Sequence, residues 1–398
     1  MEFRLTPEEE SLRKKVEAFV NEEIIPLEPL FDGAPDIFEG TRWKSRARLS
    51  KDPEVKRYIG IMEDLEKKAE ARGLWYLDVP KEYGGLQVSN VAMIAVTEEL
   101  EKTSVPFDLG NHVSNILYGC KGDQIERFLL PCIRGEKTAC FGLTEPGAGS
   151  DPAMLTTTAT PDGDDFILNG SKMFPTFADV ADFVQVFARL PGTKGHEGVT
   201  CFLVETGTPG YRVVRSIATI AGTEPCELVF EDCRIPRGQV LGEVGKGWAL
   251  NQAWLGARRF LVGIRCHGKA KRTLRMVRDY LREHPSESNQ FRASLGSLLG
   301  EVEAVRCLTY FGAWKADQGL DARSEAAGVK LFGTELLHKV IDFALEVEGA
   351  SAFRKKGPVA RFFRHGRIDR IIEGPSEVQR HIIQRTLFRE GISFMELT

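Results

Sequence analysis

Several of the usual announcements of function are missing from this chain. Its 398 residues hold no GxxxxGKS/T phosphate loop and no GxGxxG after a strand-like run, so the ordinary sequence marks of nucleotide binding are absent. Eight cysteines, at 120, 132, 140, 201, 226, 233, 266 and 307, make no C-x-x-C pair and have no histidine-rich neighbourhood. Reduced, packed thiols are therefore expected, with neither disulfides nor a metal site. No apolar run approaches the roughly 18 residues of a membrane-spanning helix, and the opening MEFRLTPEEE is acidic and polar where a targeting segment is basic and then apolar. A cytoplasmic protein with no membrane span is expected. The formal charge of -4 and the lack of a basic patch interleaved with aromatics argue against nucleic acid as a partner, and the local run His267 to Arg275 reads as a solvated helix face.

What is present is enough apolar material, 42% hydrophobic against 28% charged residues, to bury one or more large cores. The texture changes twice along the chain. Thr6-Pro7-Glu8-Glu9 opens a helix with a threonine cap, a proline in the first turn and acidic residues at the positive end; Leu12, Val16, Phe19 and Val20 form its apolar stripe. Helical spacing resumes from Tyr58 to Ala71 and around Val91 to Leu100, after a polar excursion from Phe31 to Lys56. Between Ala139 and Phe230 the pattern becomes strand-like, at Asp165 to Gly170, Phe183 to Ala188, Thr200 to Val204 and Glu227 to Phe230, with turns at Asp162-Gly163 and Thr208-Pro209-Gly210. From Trp248 helical spacing returns, for example over Leu295 to Ala316 and Ala326 to Glu348. The expected fold is mainly α with a small β domain: an N-terminal helical domain (1–138), a central antiparallel β domain (139–241) and a C-terminal helical bundle (242–398).

One segment stands out within this plan. Thr144-Glu145-Pro146-Gly147-Ala148-Gly149-Ser150-Asp151 packs two glycines, a proline, two hydroxyls and two carboxylates into a single stretch, which makes a poor core strand. It reads either as a tight surface turn or as a loop whose backbone N–H groups face a ligand.

Other segments join it. Asn169-Gly170-Ser171-Lys172, Phe230 to Pro236 (FEDCRIP), Leu241 to Gly247 (LGEVGKG) and Ile372 to Arg380 (IEGPSEVQR) follow in order. With T-E-P-G-A-G-S-D unchanged at Thr144–Asp151, the chain resembles the acyl-CoA dehydrogenase family of flavoproteins over nearly its whole length. The resemblance implies FAD bound between the sheet domain and the C-terminal helices. It places Phe141, Leu143 and Thr144 along the isoalloxazine and Gly149 and Ser150 beside it, with Ser150 toward the CoA. Thr176 falls near flavin N5, and Phe174 stands where the family has a tryptophan; core packing is the plain alternative for Phe174. Glu373 takes the place of the catalytic base, with Gly374 beside it at the substrate. A buried glutamate raised toward neutrality suits removal of the weakly acidic proton α to a thioester while the β hydrogen leaves as hydride. Arg258 occupies the position where some members carry the base on an earlier helix, and Arg259 matches the arginine usual next to it. Facing inward, Arg258 pairs with Glu373 or binds a polar acyl group; facing outward it is only solvated.

The chain also departs from the family. R-x-x-F-G is not recognisable, the region reading Leu281 to Asn289, and Q-x-x-G-G-x-G appears as Glu346 to Ala352, with Glu346 and Gly349 at two of the FAD-contacting positions. Pro375 replaces the threonine after E-G, and Pro175 separates Phe174 from Thr176. Weak FAD retention or a different dimer contact is expected. The implied activity is α,β-dehydrogenation of an acyl-CoA thioester to the trans-2-enoyl-CoA, within fatty or carboxylic acid degradation, with electron-transferring flavoprotein as acceptor and a homodimer or homotetramer as the assembly. A non-catalytic acyl-CoA-binding subunit, an enoyl-CoA reductase and an acyl-CoA oxidase remain the alternatives. A nitroalkane oxidase ranks lower, because its base is an aspartate.

Overall fold

Residues 4–31, 50–110, 113–220, 223–285, 288–350 and 357–388 are described in a computed structural model of the chain. Most of the 31–56 excursion, residues 286 and 287 of the 281–289 stretch, and residues 351 and 352 of the 346–352 motif lie outside the described residues. The chain divides into two units, one drawn from Met1–Pro35, Gly60–Leu109 and Gly256–Thr398, the other from Asp36–Ile59 and Gly110–Leu255.

The first unit is helical. Helix α1 (Pro7–Phe19) starts as its sequence requires: Thr6 Oγ1 accepts from the Glu9 N–H at 3.2 Å, and Glu9 Oε2 accepts from the Thr6 N–H at 2.9 Å, a complete capping box. Val16, Phe19 and Val20 are buried, and the chain continues past them as a wider turn over Val20–Ile24 toward Pro26. Helices α2 (Pro53–Ala71) and α3 (Asn90–Leu100, capped by Ser89) follow. The bundle proper is α4 (Gly247–Glu283, belonging to this unit from Gly256 onward), α5 (Ser288–Asp317), α6 (Arg323–Glu348), α7 (Pro358–Asp369) and α8 (Ser376–Leu387).

Val262, Cys266, Ala270, Leu274 and Val277 of α4 recur every three or four residues. They pack with Leu298 and Val302 of α5, Leu337, Val340 and Ile341 of α6, and Phe362 of α7 in one core. Helices α4 and α6 touch through backbone. A Cβ on Gly263 would lie 2.4 Å from Val329 Cγ1, and one on Gly333 would lie 2.7 Å from the Gly263 carbonyl oxygen. That crossing fixes the residues one turn before it, Arg259 on α4 and Lys330 on α6, beside each other. No described helix is long and apolar enough to cross a membrane.

The second unit is built on an eight-stranded sheet in the order β6-β7-β3-β2-β4-β5-β8, with β1 paired to β4. Its strands are β1 (Ala139–Gly142), β2 (Thr158–Asp162), β3 (Asp165–Thr176), β4 (Phe183–Arg189), β5 (Val199–Glu205), β6 (Tyr211–Ser216), β7 (Pro225–Pro236) and β8 (Val240–Leu241). Antiparallel pairing dominates, as the alternating patterns and short turns predict, but β1 and β2 each pair in parallel with β4. The core takes Phe166 and Leu168 from β3, Val184 and Val186 from β4, Phe202 and Val204 from β5, and Leu228 and Phe230 from β7. The cysteines are all free; seven are buried and Cys307 is exposed. Among the described residues no group of histidine, cysteine and carboxylate side chains is arranged to hold a metal ion.

The glycine-bearing stretch is joined to β3 by a sealed ion pair. Glu145 is 4% exposed and Lys172 is 0% exposed, and the Lys172 Nζ lies 2.7 Å from Glu145 Oε1. The same carboxylate accepts from the Thr157 N–H at 3.0 Å and from the Thr156 N–H and hydroxyl at 2.6 and 2.7 Å. Lys172 also donates to the Leu143 carbonyl at 3.1 Å, and the Met173 N–H donates to the Thr144 carbonyl at 2.8 Å. Glu145 and Ala148 exchange both backbone hydrogen bonds, closing the turn. Gly170, at φ +145°, lets β3 pass Thr157, whose Oγ1 would lie 2.6 Å from a Cβ there. Burial alone pushes the Glu145 carboxyl up, but the Lys172 ammonium and the threonine donors outweigh it and hold the group at about 2.

Because the folded value of about 2 lies below the ordinary 4.5, this carboxylate's contribution to stability is complete above about pH 4.5 and is lost as the pH falls toward 2. Glu145→Gln strands a buried ammonium and is expected to cost about 3 kcal/mol. Chemical denaturation at neutral pH and again in acid checks both statements: the gap between the variant and the natural protein is widest near neutrality and narrows as the pH falls.

Candidate active site

In the sheet unit, β1 carries Phe141 and releases Leu143 and Thr144 into the turn. One face of Phe141 is covered by Trp254, the rings stacked at 4.1 Å with 9° between planes, and Phe187 approaches at 4.9 Å. Gly149 and Ser150 are exposed, and a Cβ on Gly147 or Gly149 would meet nothing within 4 Å. The turn therefore presents bare backbone to open space.

Next to it the end of β3 breaks regular pairing. The register against β7 shifts between Met173 and Thr176, Phe174 takes φ +66° immediately before Pro175, and the Phe174 ring is 53% exposed. A left-handed residue costs on the order of 1–2 kcal/mol, and a following proline disfavours helical backbone at that position too. The energy goes into turning an aromatic side chain outward, which excludes plain core packing for Phe174. Thr176, one residue beyond the buried Pro175, is itself exposed and carries a hydroxyl. An exposed aromatic ring, an exposed hydroxyl and a turn of uncovered N–H groups fit a planar, hydrogen-bonding ring system such as a flavin.

In the helical unit, α7 ends at Asp369 and the chain turns into α8 through Glu373 and Gly374, at φ +53° and +90°. Three side chains hold this left-handed pair by its carbonyl oxygens. Gln379 Nε2 donates to both, at 3.1 Å to Glu373 and 2.7 Å to Gly374; Lys330 Nζ donates to Gly374 at 2.8 Å; Arg259 Nε donates to Glu373 at 3.4 Å. Lys330 is wholly buried, and burial holds its ammonium at about 8 against the carboxylates of Asp369 and Glu373, which favour the charge. Burial likewise lowers Arg259, with Glu373 opposing it.

The Glu373 side chain is 10% exposed and its Oε1 accepts from Arg258 Nε at 3.2 Å. Arg258 thus pairs with Glu373, the first of the inward alternatives its position allows. Pro375 precedes α8 and supplies no side-chain cap, while Ser376 Oγ donates to Glu335 Oε1 at 2.6 Å. Glu346 and Gly349 lie at the C-terminal end of α6, both exposed, with Gly349 at φ +57°.

Sequence reading did not single out Lys330, Gln379 or the Glu145–Lys172 pair. Signals for each were present. Lys330 is a lone cation within Ala326-Ala-Gly-Val-Lys-Leu-Phe332, Lys172 ends one quoted motif, and Gln379 stands next to last in another. Trp254 carries no such signal.

Family models describe the same architecture in sequence. The acyl-CoA dehydrogenase N-terminal domain matches residues 6–136, the middle domain residues 140–233 and the C-terminal domain residues 245–388. The chain is 31% identical to a short-chain-specific acyl-CoA dehydrogenase of Clostridium acetobutylicum, over 98% of this chain and 100% of that one. It is also 31% identical to a 3-(aryl)acrylate reductase of Clostridium sporogenes, over 84% and 93%. The solved structure of butyryl-CoA dehydrogenase from Megasphaera elsdenii superimposes with a TM-score of 0.80 at 28% identity, covering 98% of this chain and 100% of that one.

A methyl group at Gly374 would stand 2.8 Å from Gln379 Nε2 on a backbone at φ +90°. Gly374→Ala is expected to lower stability by at least about 1 kcal/mol through strain at that position, read as a lowered Tm, while Gly149→Ala, which meets open space, leaves Tm nearly unchanged.

Proposed function

Because the chain belongs to the acyl-CoA dehydrogenase family, whose members are FAD-dependent enzymes, we propose that it removes hydrogen from the α and β carbons of an acyl-CoA thioester, with Glu373 as the base. The observation that carries this reading is the restraint on Glu373. A mostly buried carboxylate sits on a left-handed residue whose carbonyl, and that of Gly374, are tied down by Arg259, Lys330 and Gln379. A base fixed by its backbone keeps its oxygens within reach of one carbon without the entropy cost of ordering them during the reaction.

FAD, when bound, supplies the acceptor for the β hydride. Phe174 offers it a ring face, Thr176 a hydroxyl, and Leu143, Thr144 and the turn through Gly149 backbone contacts; Ser150 serves the CoA side. Glu373 takes the α-proton on a carboxylate oxygen. The Glu373 N–H helps hold the thioester oxygen as negative charge grows there. Arg258 and Gly374 border the acyl group, and Arg259 keeps the base in place. Electron-transferring flavoprotein is the proposed acceptor and a homo-oligomer the proposed assembly.

A second reading is the reverse reaction, favoured by a relative named as an acrylate reductase. The same residues serve it, with Glu373 returning the proton to the α-carbon of an enoyl thioester.

Anaerobic mixing of the FAD-loaded protein with straight, branched, cyclic and hydroxylated acyl-CoAs tests the reading. One class bleaches the flavin, and Glu373→Gln, with FAD still bound, slows bleaching by on the order of a thousandfold or more. An unchanged rate in that variant assigns the base elsewhere, and no bleaching by any thioester points to a binding subunit. Glu346 places an exposed carboxylate where the family contacts the diphosphate side of FAD, so prolonged dialysis is expected to remove flavin. Glu346→Gln, which exchanges repulsion for a donor, is expected to retain it better, as read by the absorbance left after dialysis.

A further inference from the structure

The guanidinium beside Glu373 raises a question that a plain hydrocarbon acyl chain does not answer. Arg258 Nε donates to Oε1 at 3.2 Å, and the two side chains are 28% and 10% exposed. A base must present an oxygen lone pair to the α-proton, yet this oxygen already accepts a charged hydrogen bond. Arg259 and Lys330 do not compete for it, since both are committed to the carbonyls of Glu373 and Gly374. Three cationic side chains therefore converge on one short turn, and only Arg258 is bonded to the carboxylate itself. Drawing Glu373 toward an alkyl chain takes from Arg258 Nε a carboxylate in a mostly dry place, and such separations are costly.

We propose that the acyl group carries a second carboxylate, and that this carboxylate replaces Glu373 on Arg258, binding the substrate and releasing the base in one exchange. The inference rests on Glu373 being the base. A guanidinium matches a carboxylate with two parallel donors, a geometry that a hydroxyl or a carbonyl does not fill. Distances set the chain length. With the α-carbon about 3–3.5 Å from the base oxygen and the distal carboxylate about 2.8 Å from the guanidinium, the carboxylate lies within about 9 Å of the α-carbon. An extended chain advances about 1.2 Å per bond, so that distance is spanned by about seven bonds along the chain. Short ω-carboxyacyl-CoA thioesters are the class selected.

The test compares linear acyl-CoAs with ω-carboxyacyl-CoAs matched carbon for carbon, measuring affinity by calorimetry under anaerobic conditions with Glu373→Gln, where turnover is blocked, and flavin bleaching with the natural residue in place. The carboxylated member of a pair is expected to bind about tenfold or more tightly and to bleach faster. Arg258→Gln is expected to remove the preference within each pair by weakening the carboxylated member, and Arg258→Lys, which keeps the charge but not the fork, to leave a reduced preference. Equal affinities within every pair, or a preference that survives Arg258→Gln, overturns the proposal. Bleaching that persists in Glu373→Gln overturns the base assignment instead, so the two failures are told apart.

Discussion

A carboxylate and an ammonium closed off from water hold the sheet unit's glycine-bearing turn to β3. Either group alone at the position of Glu145 or Lys172 would be costly to bury, and each is kept charged by the other and by the hydrogen bonds of Thr156, Thr157 and Leu143. The pair spans two segments far apart in sequence. It fixes the turn from Thr144 onward against the strand that ends in Phe174 and Thr176. What looks like a mobile, glycine-bearing loop is therefore anchored at its second residue, and its glycines beyond that point serve to leave backbone uncovered. The strained Phe174 persists because the strand beneath it is immobilised one and two residues earlier, through the Met173 N–H and the Lys172 ammonium.

The helical unit solves a similar problem with a different device. Glu373 occupies a left-handed conformation that glutamate disfavours, and three donors on α4, α6 and α8 converge on two carbonyl oxygens to hold it there. The close backbone crossing of α4 and α6 at Gly263 and Gly333 brings two of those donors to the turn. Packing chosen for helix contact thus becomes positioning of a side chain. Its cost is the burial of charged groups, visible in the lowered Lys330 and Arg259, and Arg258 adds a third cation at the carboxylate itself.

The sequence shows the larger plan plainly. The Thr6 cap, the helical stripe from Leu12 and the strands at Phe183 and Thr200 are local patterns, and each forms close to its expected place. Strands β2 and β6 went unread because Thr158–Asp162 and Tyr211–Ser216 are short and half-polar, and their partners, not their own alternation, make them strands. The candidate site was legible as a set of positions and not as geometry. The family resemblance pointed to Glu373, Phe174 and Thr176. Whether Arg258 faced the glutamate, whether Phe174 was buried, and that Lys330 and Lys172 are wholly buried depend on helix crossings and a register shift that no local window contains.

The central claim is that Glu373 removes the α-proton, and it is tested most directly where no hydride can leave. With the flavin already reduced and oxygen excluded, a bound acyl-CoA that serves as substrate can still lose and regain its α-hydrogen. Proton magnetic resonance in deuterium oxide then reads exchange at that carbon alone. The account predicts steady loss of the α-hydrogen signal with the natural protein and none above background with Glu373→Gln. Equal exchange in the two would contradict it.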